Sequence, residues 1–186
     1  VAVASDNNGR IFIADAKMNN VMVFDKDLKS IGALQPEAPF RQPVGIAVDS
    51  ERKRVYVVDT HSHNVRVFDL ETRKELSSIG SRGREDGRFN YPSNAALDSQ
   101  GNLYVVDTQN GRVQKFDTDG RFLLRFGEFG DAPGMFARPR GIAVDSEDHV
   151  YVVDAAFNNV QIFDVEGQIL LFFGSYGEGR ANMILP

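Results

Sequence analysis

Val55-Tyr56-Val57-Val58-Asp59 is a short apolar run closed by an aspartate. It recurs as Ile11-Phe12-Ile13-Ala14-Asp15, as Leu103-Tyr104-Val105-Val106-Asp107 and as Val150-Tyr151-Val152-Val153-Asp154. The closing aspartates stand 44, 48 and 47 residues apart. A fixed period of this size marks a chain of repeated supersecondary units. A side chain present in every copy is therefore expected to serve the shape of every copy.

Each run is preceded by a proline-led segment, Pro43 to Asp49, Pro92 to Asp98 and Pro139 to Asp145, and by a short polar turn. Five residues past the aspartate stands Asn20, Asn64, Arg112 or Asn159. A second apolar run ends Phe24-Asp25, Phe68-Asp69, Phe116-Asp117 or Phe163-Asp164. A last run stops at Gly32, Gly80, Gly127 or Gly174, and a glycine-rich connection leads to the next proline. Runs this short, rich in Val, Ile, Tyr and Phe and bounded by Gly, Asn, Asp and Ser, predict strands. The aspartate-closed run is apolar throughout, so both faces of that strand should be buried. Asn8-Gly9, Gln100-Gly101, Asp119-Gly120 and Glu166-Gly167 put glycine where a hairpin turn needs positive φ.

Four short antiparallel strands per unit, with both faces needing cover, predict an all-β chain: a β-propeller of four-stranded blades. Stacked coils of a parallel β-helix are the structural alternative. The expected repeats are 1–42, 43–91, 92–138 and 139–185. Val1 falls one residue after an expected proline and Pro186 would open a further repeat. The expectation is a segment of a larger ring, with a closed ring of four as the alternative. Unmatched blade faces would promote self-association through the incomplete ends.

Composition bounds the partners. The 186 residues carry a formal charge of −5, so bulk attraction to nucleic acid or anionic membrane is not expected. With no cysteine there is no disulfide, thiolate zinc site or cysteine nucleophile. No stretch reads as a membrane-spanning helix.

Pro139-Arg140-Gly141-Ile142-Ala143-Val144-Asp145, followed by Val150 to Asp154 and by Asn159-Val160-Gln161-Ile162-Phe163-Asp164, resembles the NHL repeat. Pro43 to Asp69 is a close second copy, and the likeness covers all four units. Asn94-Ala95-Ala96-Leu97 and Arg112 are local departures. The resemblance implies a propeller of five or six blades serving as a platform for protein, peptide or RNA, in some proteins as an extracytoplasmic sensor. It also implies a minority role as an enzyme: a lyase with a histidine-held metal, or a related calcium lactonase.

Asp15, Asp59, Asp107 and Asp154 read as structural, accepting backbone N–H bonds in the following turn. Phe40, Phe89 and Phe136, with Met183 in the fourth place, read as wedges between blades. The glycine-rich connections lack the helix that a phosphate cradle needs. His61 and His63 are the only pair spaced for a shared metal ion. His149 falls on a turn at the opposite end of its blade, and zinc takes about three protein ligands. No metal, cofactor or catalytic set is therefore expected.

The loops from strand two to three, and the connections from strand four to the next strand one, should share one face. Loops on a rigid scaffold commonly carry function. The residues that vary there are Lys17, Met18, His61, His63, Gln109 and Phe157, with Arg82, Arg84, Arg88 and Arg138 on the connections. They are the candidate contacts for a protein or peptide partner. Arg82, Arg84 and Arg88 are interrupted by Glu85 and Asp86, so a nucleic-acid stripe is disfavoured. The other function class is a fragment of a metal-dependent lyase- or lactonase-like enzyme.

Overall fold

The computed structural model describes residues 1–175 and Gly177. Met183, Arg180 and Pro186 lie outside the described residues. The first sheet holds β1 (Ala2–Ser5), β2 (Ile11–Asp15), β3 (Asn20–Phe24) and β4 (Ser30–Ala33). The second holds β5 (Pro43–Asp49), β6 (Arg54–Asp59), β7 (Asn64–Asp69) and β8 (Glu75–Ile79). The third holds β9 (Pro92–Leu97), β10 (Leu103–Asp107), β11 (Arg112–Phe116) and β12 (Phe122–Phe126). The fourth holds β13 (Pro139–Val144), β14 (Val150–Asp154), β15 (Asn159–Phe163) and β16 (Ile169–Phe173). Within each sheet the strands follow chain order and pair antiparallel. β1 neighbours β5, β5 neighbours β9 and β9 neighbours β13, so first strands line the inside of the stack. This is the propeller blade expected from the repeat.

The turns follow their sequence. Gly9, Gly101, Gly120 and Gly167 have φ between 79° and 82°. In each of these turns an aspartate at the strand end accepts backbone N–H groups two and four residues on, as Asp6 does from Asn8 and Arg10. These short local bonds satisfy a turn that has no ladder partners.

Three apolar cores lie between successive sheets. The first joins Phe12, Val21 and Val23 to Val55, Val57 and Phe68, the second Tyr56, Val58 and Val65 to Leu103, Val105 and Phe116. The third joins Tyr104, Val106 and Val113 to Val150, Val152 and Phe163. Phe40, Phe89 and Phe136 enter these cores from the connections, each tilted against a phenylalanine of the next blade at 5.5 to 5.7 Å. They are inter-blade wedges, as their phase implies.

Burial of both faces of the second strand holds in the middle of the stack only. β10 is buried at every position, whereas β2 and β14 alternate between buried and half-buried. On β14 the half-buried residues are Tyr151 and Val153, on the face that in blade three packs Tyr104 and Val106 at 0% exposure. Among the described residues no sheet lies against the outward faces of blades one and four. Leu171 and Phe173 are 58% and 46% exposed there, and Val3 is 64% exposed at the other end.

Gly80 and Gly127 set how closely each wedge can seat. Both have positive φ, and a Cβ on either would stand 2.4 or 2.3 Å from the ring of Phe89 or Phe136. Phe89→Ala should cost about 3–5 kcal/mol by urea unfolding, as for other buried phenylalanines. Gly80→Ala should also destabilise, through the clash and the left-handed backbone. The double variant should lose less than the sum, because removing the ring removes the clash.

Candidate functional site

The loops that join second to third strands lie beside the connections that enter each blade. Thr60 N donates to Gln42 O, Gln109 N to Asn90 O and Ala155 N to Arg138 O, all near 3.0 Å. Each loop closes on a left-handed residue: Asn19, His63, Gly111 or Asn158, with φ from 51° to 64°. Asn and Gly adopt that conformation most readily. The two variable loop sets therefore form one face.

Below that face the repeated aspartates grip the incoming connection. Asp59 accepts from Arg41 N at 3.0 Å and Gln42 N at 2.7 Å. Asp154 accepts from Ala137 N at 2.7 Å and Arg138 N at 3.0 Å, and also from Ala156 N and Phe157 N in its own loop. Asp15 accepts only from its own loop, at Lys17 N and Met18 N. The local turn expected from sequence is thus one half of the arrangement. The other half reaches back 16 to 18 residues.

A second clamp acts on the same connections. Gln114 Oε1 accepts from Gly87 N, and its Nε2 donates to Arg88 O. Gln161 does the same with Gly134 N and Met135 O. Arg66 takes the equivalent place in blade two, bonding Ala38 O and pairing with Glu75. The signal was available: a polar residue in the middle of an apolar third strand, in three of four repeats.

Blade three departs from this scheme in a concerted way. Asn90 N donates to Asp107 at 2.7 Å, but the next N–H, that of Tyr91, donates to His63 Nδ1 at 3.1 Å. Arg112 fills the remaining acceptor, its Nε 2.9 Å from Asp107 Oδ2. The two unusual residues, His63 and Arg112, thus complete one exchange of partners. Burial pushes the Asp107 carboxyl above its ordinary value, against hydrogen bonds from Asn90, Asn110 and Arg112. Burial, then the nearby charge of Arg82, holds the His63 imidazole below 6.5.

Of the candidate contacts, Arg82, Arg84, Arg88, Arg138, Gln109, His61, Lys17 and Met18 are exposed. His63 is buried, its ring packed edge-on to Tyr91 at 4.6 Å, with His61 on Tyr91 at 5.7 Å. Phe157 is half-buried. The structure brings Arg84 and Gln109 together in one groove of about 690 Å³ between blades three and four. Asn110, Phe129 and Met135 continue its wall, and Phe129 is 57% exposed. Lys17 and Met18 sit apart on blade one, and Arg88 is 3.7 Å from Glu85.

His149 pairs with Asp145 at 3.2 Å in the turn between β13 and β14, away from His61 and His63. Among the described residues no group of three or more His, Asp or Glu side chains is gathered as a metal ion would require. No helix among them is long and apolar enough to cross a membrane.

The sheets, clamps and wedges define an NHL-type β-propeller. Residues 3–127 match the SMP-30/gluconolactonase/LRE-like region, and the chain belongs to that family. Residues 84–171 also match a six-bladed β-propeller family. A probable peptidyl-alpha-hydroxyglycine alpha-amidating lyase of Caenorhabditis elegans is 28% identical over 66% of this chain and 40% of its own length. NHL repeat-containing protein 2 of Gallus gallus is 28% identical over 46% of the chain and 13% of its own length. The chain spans less than half the length of these relatives. Among solved structures, hydrazine synthase of Kuenenia stuttgartiensis superposes with a TM-score of 0.73 at 18% identity, over 92% of this chain and 47% of that one. That likeness is one of fold.

A histidine whose folded pKa is depressed binds fewer protons folded than unfolded. Its contribution is complete above the unfolded value near 6.5 and is lost as pH falls through the folded value. The urea midpoint should therefore drop as pH falls below about 6.5. His63→Asn, which keeps a residue suited to left-handed backbone, should flatten that part of the profile.

Proposed function

We propose that this chain is a non-catalytic platform that binds protein or peptide through its loop face. The observation that carries the reading is the groove between blades three and four. Its size, about 690 Å³, lies within the range of sites that enclose small ligands or several side chains. Arg112 on its floor is committed to Asp107 and to Glu85 O and Arg88 O. Arg84, Gln109 and Phe129 remain exposed at its rim. An exposed aromatic beside an arginine and an amide is the composition of a contact surface.

The alternative is a fragment of a metal-dependent propeller enzyme. Family membership and the nematode lyase favour it. The described residues do not fit such a metal, since they supply no converging set of ligands. RNA is less well matched, because Arg112 and Arg125 both pair with Asp86 and no clean basic stripe is left. The outward faces of blades one and four, with Val3, Leu171 and Phe173, also favour self-association of the isolated chain.

An array of random dodecapeptides would test the platform. Binders are expected whose affinity falls by about 30-fold or more when Arg84, Gln109 and Phe129 are replaced together by Ser, the size of a hot-spot loss. Indifference of every binder to that change would reject the loop-face groove. Turnover of a peptide or lactone on adding zinc or calcium would instead favour the enzyme.

A further inference from the structure

A second, smaller cavity opens on blade four, on the far side of Pro133 from the groove. It encloses about 260 Å³ between Ala132, Pro133, Phe157 and Phe172, with Asp131 and Asn159 completing its wall. It lies on the face of blade four that meets blade three, because Phe172 pairs with Gln161 and Gln161 grips the incoming connection. The junction it occupies is therefore the same kind of junction that joins blades two and three.

The repeat gives an internal control. Moving back 47 residues, Pro133, Phe157, Asn159 and Phe172 become Asp86, Asn110, Arg112 and Arg125. Those four put polar and charged groups at the corresponding positions. Asp86 stands 3.0 Å from Arg125 Nη1 and 3.5 Å from Arg112 Nη1, and Asn110 Nδ2 donates to Gly83 O and Asp107. At blade four three of the four are exchanged for apolar groups, Arg112 gives way to the neutral Asn159, and the space is left open.

Three features define an occupant. The volume falls just below the roughly 300 Å³ at which sites for drug-sized ligands begin, so it suits one side chain. The walls are aromatic and aliphatic. Beside the cavity, exposed Asp131 replaces Arg84 of the previous junction, which reverses the charge.

From this geometry we infer that the blade-four cavity is a specificity pocket for an apolar, preferably aromatic, side chain of a bound peptide. A neighbouring cationic residue of the peptide meets Asp131. The inference rests on the peptide-binding reading and extends it, because Pro133 is a wall shared by pocket and groove. A chain lying in the groove can place one side chain over that wall.

The test uses the blocked peptide acetyl-Gly-Phe-Lys-Gly-amide, followed by NMR on the aromatic signals of Phe157 and Phe172. Saturable shifts are expected, weakened by about tenfold or more when Phe of the peptide is replaced by Ala, from the lost burial of one ring. Replacing its Lys by Glu should weaken them further. The triple variant Pro133→Asp, Asn159→Arg, Phe172→Arg grafts the three charged members of the blade-three cluster and should abolish binding with the unfolding midpoint preserved. If the graft does not fold, Phe157→Ser opens the wall and should weaken binding in its place. Absence of saturable shifts, or shifts unchanged by either variant, would overturn the pocket. So would Phe157 and Phe172 signals that move with protein concentration alone, since a second copy would then fill the space. Array peptides that depend on Arg84 and Gln109 but ignore the graft would remove the pocket and keep the platform. Tetrapeptide binding with no groove-dependent peptide would do the reverse.

Discussion

A carboxylate at the end of the second strand in blades two, three and four, closed over by the backbone of the chain entering that blade, fixes this architecture. A four-stranded sheet with two apolar faces cannot be stable alone, and stacking answers that need without setting an angle or a distance. The aspartate supplies both. Asp59 and Asp154 each take two consecutive backbone N–H groups from just ahead of the proline, so β5 and β13 can begin in only one place. Hydrogen bonds to a charged group contribute about 1.5–3 kcal/mol each, which offsets the cost of removing the carboxylate from water. The glutamines of β11 and β15 hold the earlier part of the same connection, and the phenylalanine wedge is caught between the two grips.

Much of this was legible in the residues. The period, the four strands per unit, the glycine turns and the inter-blade phenylalanines follow from local chemistry that any copy displays. The aspartates read as structural because they recur, but half of the groups that donate to them are not visible in the sequence. Arg41 and Gln42 become neighbours of Asp59 only after the chain has crossed between blades. The glutamine clamp was missed for a related reason, since Gln114 and Gln161 read as isolated polar residues until the connection is laid over them. His63 looked like an accessible loop residue and is a buried acceptor for Tyr91. Nothing in a short loop announces that exchange, because its other member, Arg112, lies on a different blade.

The same division governs what the molecule can offer a partner. Side chains shared by all blades are consumed in holding neighbouring sheets, so contact chemistry falls to positions where one blade differs from the next. The groove and the smaller cavity both lie at the junction of blades three and four, where the connection carries Phe129, Asp131 and Pro133. Membership of the SMP-30/gluconolactonase/LRE-like region family is a statement about the scaffold. Propellers of one fold host hydrolysis, elimination and simple recognition, and the site decides among them.

Because the aspartate and glutamine grips on the incoming connection belong to the blade it enters, with the bond from Tyr91 N to His63 of blade two as the exception, the natural seam of the molecule does not fall at the proline. It falls earlier, where β8 and β12 end at Gly80 and Gly127. A chimera that exchanged blades at Pro92 or Pro139 would part Asn90 from Asp107, or Arg138 from Asp154. One spliced at the glycines would carry each carboxylate together with the amides it holds, and at Gly80 would part only Tyr91 from His63 among these hydrogen bonds.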